Sequence, residues 1–232
     1  KDMGEVFTPE RYVQQLINTL DPKVWADENA IFFEPTCGHG NIVVPVFMRR
    51  VAELKKKYER ADATKPALHA VANALNTLWA IDICAANVEM TRKRVFEFVL
   101  HILKEANFTL YQARTREFVA HVLCVLVRQI HENEALSSIG SATAANQTKV
   151  GGDWLRKNGH RPIDFKKTWY EHFTQAQKNK VEPIEFQRAI RFIDASLESK
   201  SVRGFEQFSF AKELIQSSTH VKRSSRVIEG VA

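Results

Sequence analysis

The stretch Phe33-Glu34-Pro35-Thr36-Cys37-Gly38-His39-Gly40-Asn41 lies between a short apolar run and a long amphipathic pattern. The apolar run, Ala30-Ile31-Phe32-Phe33, is typical of a buried strand, and residues 42–63 are typical of a helix. Glycine suits such a turn because it adopts backbone angles forbidden to other residues and lets a ligand approach the backbone. The stretch therefore predicts either a plain strand-to-helix turn or the floor of a ligand site.

Strand and helix patterns alternate through the first 135 residues. Further strands are predicted at residues 78–83 and 128–133, and helices at residues 65–78, 85–107 and 110–127. This alternation predicts an α/β fold with a parallel sheet, in which ligands lie at the carboxyl ends of the strands. The glycine turn is at such a position.

The rest of the chain is mostly helical. Residues 137–152 are rich in Ser, Ala, Gly and Asn and predict a loop or linker, after which helices are predicted at residues 165–179 and 183–199. We expect two parts, a core at residues 1–152 and a helical, basic extension at residues 153–232. Two helix starts are also predicted, with Thr8 capping the first helix and Asp164 capping the helix that carries Trp169 and Phe173 as core residues.

Asp82 is a second candidate site residue, at the end of the apolar run Leu78–Ile83. An acid at a strand end can accept the hydroxyl protons of a ribose, but a solvated acid is an equally good interpretation. Its separation from the glycines exceeds the roughly twenty residues usual in dinucleotide folds. An insertion of residues 54–78 outside the sheet would explain the longer spacing.

Three segments together resemble the S-adenosylmethionine-dependent DNA adenine-N6 (amino) methyltransferases. Glu34–Asn41 resembles their motif I, Gly4-Glu5-Val6-Phe7-Thr8-Pro9 resembles motif X, and Ala80–Val88 with Arg92-Lys93-Arg94 resembles motif II. The resemblance covers residues 4–94, with the motifs in the family's order. It implies a Rossmann-like class I methyltransferase sheet with helices on both faces, followed here by a mostly helical C-terminal extension.

The same resemblance implies a cofactor site for S-adenosyl-L-methionine. Phe7, Thr8 and Pro9 would flank the methionine end, and Asp82 would hold the ribose with Ile83 against the adenine. The cradle itself would consist of Glu34, Pro35, Cys37, Gly38 and Gly40. His39 is interpreted as solvent-facing, and Cys37 as a small packing residue because no base that would activate it is evident.

The family's catalytic motif, Asn/Asp/Ser-Pro-Pro-aromatic, is absent as written. The sequence has seven prolines and no two are adjacent. In relatives this motif accepts the hydrogens of the adenine amino group and stacks on the flipped base. No catalytic residue is therefore assigned, and an inactive methyltransferase-like protein that binds DNA or a protein partner is the alternative to an active enzyme.

The charge distribution and the cysteine content limit the partners, metals and cellular locations that the sequence predicts. Residues 151–232 hold 15 Lys/Arg against 10 Asp/Glu, and residues 1–150 hold 18 against 17. This bias fits double-stranded DNA as the partner, although an ordinary solvated basic face fits equally well. The three cysteines lack metal-ligand spacing and predict free thiols, so we expect no metal and a cytoplasmic location. No apolar run approaches membrane-spanning length, so we expect no membrane partner, with a partner subunit or further domains of a larger chain possible.

Overall fold

The computed structural model describes residues 8–140 and 148–218. Its strands are β1 (Phe32–Glu34), β2 (Leu78–Asp82) and β3 (Ile130–Glu132). Its helices are α1 (Glu10–Thr19), α2 (Val43–Arg60), α3 (Pro66–Asn76), α4 (Ala85–Glu105), α5 (Ala113–Gln129), α6 (Ala135–Ile139), α7 (Lys149–Asn158), α8 (Trp169–Lys178) and α9 (Ile184–Leu197). Short 3-10 helices cover Pro22–Ala26 and Glu206–Ala211, and residues 212–218 are helical.

The strands form one parallel sheet in the order β1-β2-β3. Phe33 is in register with Trp79, and Ile81 with His131. The crossover from β1 to β2 contains α2 and α3, and the crossover from β2 to β3 contains α4 and α5. The predicted α/β class with a parallel sheet is therefore confirmed, and each predicted strand falls within a few residues of its observed place.

One face of the sheet forms the main hydrophobic core with these crossover helices. Phe32, Leu78, Ala80 and Ile130 alternate along the strands onto this face and pack in the same apolar cluster as residues of α2 to α5. Burial of this continuous apolar surface is the dominant stabilising term of such a fold.

α3 belongs to this core. Ala70, Val71, Ala74 and Leu75 are buried in the common cluster, and α3 packs against α2, α4 and α5. The long spacing between the glycines and Asp82 is thus taken up by a second crossover helix, α3, which packs in the helical layer and contributes to the core.

The opposite face of the sheet is aromatic and is contacted by a loop. Phe165 packs edge-on against Phe33, at 5.2 Å between ring centroids, and against Trp79, at 5.7 Å. His131 is next to Trp79 on the same face, at 6.3 Å. Residues 159–168 thus reach back from the C-terminal part to the strand that leads into the glycine turn.

The C-terminal helices pack on α5 and extend the same core. Trp169 of α8 and Phe186, Phe192 and Ile193 of α9 are buried in the common cluster. His121 of α5 lies 4.5 Å from both Phe173 and Phe186, measured between ring centroids. Trp169 is thus a core residue, as predicted from its spacing, and Phe173 packs against the core from a partly buried position.

Two predicted helix caps are wrong, and one predicted loop contains helix. Pro9 is the N-cap residue of α1, with no side-chain cap, so Thr8 lies one residue too early. Thr168 caps α8 by accepting from the backbone N–H of Glu171, whereas Asp164 accepts from the N–H of Lys166 in a turn. The predicted loop at 137–152 includes most of α6 and the start of α7; residues 141–147 lie outside the described residues.

Within residues 8–140 and 148–218, no helix is long and apolar enough to cross a membrane.

Candidate cofactor site

The glycine turn and the strand-end acid meet at the carboxyl edge of the sheet. The backbone N–H of Gly38 donates to Oδ2 of Asp82 at 2.9 Å, across 44 residues of sequence. One residue earlier, the N–H of Cys37 donates to the carbonyl of Ile81 at 2.8 Å. Because β1 and β2 are adjacent and parallel, the loops that follow them lie side by side.

The Asp82 carboxylate is held in one orientation. Its Oδ1 accepts from the N–H of Cys84 at 2.8 Å and from Nδ2 of Asn87 at 3.2 Å, while Oδ2 accepts from Gly38. A carboxylate offers about four acceptor positions. Oδ2 therefore retains one for a hydroxyl donor, and the bonds to Oδ1 fix where that donor must lie.

Gly40 is required by a close approach of α4. Its φ is +81°, and an added Cβ would lie 3.0 Å from Oγ1 and 3.2 Å from Cγ2 of Thr91. The Thr91 hydroxyl in turn donates to the carbonyl of Gly38 at 2.8 Å. The second glycine of the turn thus permits contact between the loop and α4, and Gly38, at φ +49°, has open space at its Cβ position.

A second side chain of α4 holds the same turn. Arg94 donates from one guanidinium nitrogen to the carbonyl of His39 at 2.6 Å and to Oδ1 of Asn41 at 2.8 Å. Asn87, Thr91 and Arg94 are spaced four and three residues apart, so they share one helix face. Asn87 and Arg94 lie in the segment that resembles motif II, but neither they nor Thr91 were predicted to hold the turn. The helical spacing after Asp82 was the available signal.

Glu34 stabilises the start of the turn by accepting two hydrogen bonds. Its Oε1 accepts from both the backbone N–H and the hydroxyl of Thr36, each at 3.1 Å. Glu34 and Pro35 are partly buried, as is Ile83, which directly follows Asp82. The structure thus brings Glu34 and the turn residues to the same edge of the sheet as Asp82 and Ile83.

Cys37 is a packing residue in this turn. It is 5% exposed, and burial raises the pKa of its thiol to about 12. The thiolate is the nucleophilic form of cysteine, so this thiol is inert at neutral pH. His39 is half-buried and so differs from its solvent-facing prediction.

The motif X residues are described only in part. Phe7 lies outside the described residues, Thr8 is partly buried, and Pro9 is exposed with its carbonyl accepting from the N–H of Tyr12. These residues precede α1. A hydrogen bond from Arg49 to Asn18 Oδ1, at 2.8 Å, connects α1 to α2. Their predicted contact with a cofactor remains a prediction.

The end of β3 borders the same edge. The N–H of Asn133 donates to the carbonyl of Asp82 at 3.0 Å. Glu134, which follows it, is 7% exposed and caps α6 by accepting from the N–H groups of Leu136 and Ser137. In the described residues, no group of three or more His, Cys, Asp or Glu side chains is arranged to hold a metal ion.

Comparison with protein-family models, with curated proteins and with solved structures gives no match to this chain.

Proposed function

We propose that this chain binds S-adenosyl-L-methionine at the glycine turn and acts as a DNA adenine-N6 methyltransferase of a modification or restriction-modification system. The observation that carries the proposal is the hydrogen bond from Gly38 to Asp82, because it joins two segments that resemble family motifs for one cofactor. Because this bond holds the two segments side by side, one ligand at the carboxyl edge of the sheet could contact both.

The residues at the sheet edge suit the proposed cofactor. Asp82 would accept a ribose hydroxyl at the free position of Oδ2, and Ile83 would lie against the adenine. The Cβ position of Gly38 faces open space, where a side chain would obstruct a ligand, whereas that of Gly40 faces Thr91. S-adenosylmethionine supplies an electrophilic methyl group; the residues named here would bind and orient it.

We also propose that the sheet is part of a Rossmann-like class I methyltransferase fold. The order β1-β2-β3 with two crossovers is compatible with one half of a Rossmann-like sheet, and β1 would then be the strand on which the second half is built. In the family, that second half carries the Pro-Pro-aromatic motif. We also propose double-stranded DNA as the partner and a cytoplasmic location.

A second candidate function follows from the absent motif. An exocyclic amine is a poor nucleophile because its lone pair is delocalised into the ring, so an active enzyme needs acceptors for its hydrogens. The sequence offers no two adjacent prolines to supply them in the family's manner. An inactive methyltransferase-like protein that binds DNA or a partner protein is therefore the competing function.

Transfer of tritium from labelled S-adenosylmethionine separates the two functions. The acceptors are unmethylated DNA, RNA and protein in parallel reactions, and N6-methyladenine is identified after digestion of the DNA. Transfer to adenine supports the enzyme. Cofactor binding without transfer to any acceptor supports the inactive protein, and transfer to RNA or protein alone would replace the proposed substrate.

A further inference from the structure

A concentration of positive charge lies in residues 156–167, here called the basic segment. It carries five Lys/Arg and one acid, Asp164, so its surplus of four compares with a formal net charge of +6 for the whole chain. All five basic residues are exposed: Arg156, Lys157, Arg161, Lys166 and Lys167. The segment comprises the last turn of α7 and most of the loop before α8.

The backbone of the basic segment is attached to the end of β3 and to α6. Asn133 Nδ2 donates to the carbonyl of Arg161 at 2.9 Å. The N–H of Ile163 donates to the carbonyl of Ser138, also at 2.9 Å. Nε2 of His160 is 2.9 Å from the carbonyl of Ser137. These contacts fix the middle of a loop that has no helix or strand of its own.

The second half of the segment is held equally firmly. Phe165 packs on Phe33 and Trp79, and Nε of Arg128 donates to the carbonyl of Lys167 at 2.8 Å. The backbone is therefore positioned before any partner binds, which lowers the ordering cost of association. The exposed side chains of Lys157, Lys166 and Lys167 extend from this fixed backbone. Arg161 instead donates from Nε to the carbonyl of Asn158 at 3.1 Å and lies over the ring of Trp154.

The charges of the segment are only weakly compensated. Lys167 Nζ lies 3.6 Å from Asp164 Oδ2, and Arg156 pairs with Asp153, in both cases between side chains at least half exposed. Exposed pairs of this kind contribute about 0–1 kcal/mol. They can be exchanged for contacts with phosphate at little cost.

One residue joins the segment to the proposed cofactor site. Asn133 donates its backbone N–H to the carbonyl of Asp82 and its side-chain amide to the carbonyl of Arg161. Phe165 contacts Phe33, which directly precedes Glu34 of the glycine turn. The basic segment therefore borders the same edge of the sheet as the turn.

We infer that the basic segment is the surface that binds the phosphate backbone of duplex DNA beside the cofactor site. Exposed Lys and Arg on a fixed backbone supply sequence-independent phosphate contacts. An anionic membrane surface is a poorer fit, because the two large apolar side chains of the segment, Ile163 and Phe165, are partly buried and Phe165 packs on the sheet. The identity of the partner rests on the proposed function; the location of the surface does not.

The test compares two triple variants of the full chain. Lys157→Gln/Lys166→Gln/Lys167→Gln removes three charges from the basic segment. Lys55→Gln/Lys56→Gln/Lys57→Gln removes three exposed charges from α2, which begins at the glycine turn and runs away from that edge. Binding of a fluorescent unmethylated duplex is measured by anisotropy between about 50 and 200 mM salt, the range over which phosphate contacts are salt-sensitive.

We expect the segment variant to bind the duplex at least about tenfold more weakly. In a plot of the logarithm of the association constant against the logarithm of the salt concentration, the slope for this variant should be smaller in magnitude. The difference should be about 0.9 for each phosphate that the variant no longer neutralises. The α2 variant should match the parent, and both should bind S-adenosylmethionine as the parent does. Equal weakening in both variants, or none in the segment variant, would refute the surface while leaving cofactor binding intact.

Two further outcomes would also overturn the inference. One is a parent chain that does not bind duplex up to about 100 µM, the weak end of non-specific affinity. The other is segment-dependent binding to vesicles of anionic lipid but not to duplex. In both cases binding of S-adenosylmethionine is measured separately by isothermal titration calorimetry. Failure of the DNA surface is therefore distinguishable from failure of the cofactor site.

Discussion

The backbone N–H of Gly38 and the carboxylate of Asp82 form a 2.9 Å hydrogen bond between the loops that follow two adjacent parallel strands. This bond connects the glycine turn to a side chain that is also held by Cys84 and Asn87. Removing the carboxylate should thus affect both the local structure and any ligand that uses Oδ2.

Asp82→Ala should lower the free energy of unfolding by about 1–3 kcal/mol, because several donors lose their acceptor. Urea denaturation measures this change. Glu132→Ala is the matched control, since Glu132 is in register with Asp82 at the end of the neighbouring strand. An equal loss of stability in both variants would mean that the bonds to Asp82 contribute nothing specific.

Gly40→Ala should destabilise the protein more than Gly204→Ala. Both glycines have positive φ, +81° and +86°, so both substitutions incur the left-handed backbone cost of about 1–2 kcal/mol. An added Cβ at Gly40 would lie too close to the side chain of Thr91, whereas nothing lies within 4 Å of the Cβ position at Gly204. The additional cost from overpacking is about 1–3 kcal/mol.

A double-mutant cycle with Thr91→Ala tests the origin of that difference. If contact with Thr91 causes it, Gly40→Ala should cost less in the Thr91→Ala background than in the parent. Strictly additive free energies of unfolding would place the cause elsewhere in the turn.

The cysteines should differ in their reactivity toward alkylating reagents. Cys37 and Cys124 are buried, and burial raises the pKa of both thiols, whereas Cys84 is partly exposed. At about pH 8, iodoacetamide should modify Cys84 first and the other two only on unfolding, because the thiolate is the reactive form. Peptide mass spectrometry over a time course measures the order; early modification of Cys37 in folded protein would contradict its packing role.

His121 should make stability depend on pH in the acidic range. Burial lowers its pKa from 6.5 to about 4, and its Nδ1 accepts from the indole N–H of Trp169 at 2.9 Å. In the unfolded chain His121 is protonated below about pH 6.5, whereas in the folded chain it is protonated only below about pH 4. Stability from this residue is therefore complete above pH 6.5 and is lost as the pH falls toward 4.

His121→Phe removes the titrating group and leaves the Trp169 N–H without an acceptor, at a cost of about 1–3 kcal/mol at neutral pH. Urea denaturation of parent and variant from neutral pH to about pH 4.5 should show a shallower decline in the variant. His131, whose pKa burial also lowers to about 4, contributes to the decline that remains. Parallel declines would contradict a neutral buried His121.

The sequence was a good guide to elements whose signals are local. The apolar run before the glycines, the run ending at Asp82 and the amphipathic helices between them all lie close to their predicted places, since burial on one face imposes a readable period. Thr8 and Asp164 were wrong as caps because several residues near a helix start can accept backbone N–H groups, and tertiary packing decides which one does.

Contacts made across the fold could not be predicted from the sequence. Thr91 matters only because α4 passes within 3.0 Å of the Cβ position at Gly40, and Phe165 only because its loop returns to the strand before the turn. The helical spacing predicts that Thr91 shares a face with Asn87 and Arg94, but it does not indicate which loop that face contacts. No residue near Phe165 in the sequence indicates its contact with the sheet. The core role of α3 was missed for a similar reason, because the pattern of an amphipathic helix does not identify the surface that it covers.

Isothermal titration of the full chain with S-adenosylmethionine is the most direct test of the cofactor site. We predict saturable binding by the parent, binding within about threefold of the parent by the remote variant His121→Phe, and loss of binding by Asp82→Ala with the fold retained by circular dichroism. No heat of binding by the parent at millimolar cofactor, or undiminished binding by Asp82→Ala, would contradict the assignment of the glycine turn and Asp82 to this cofactor.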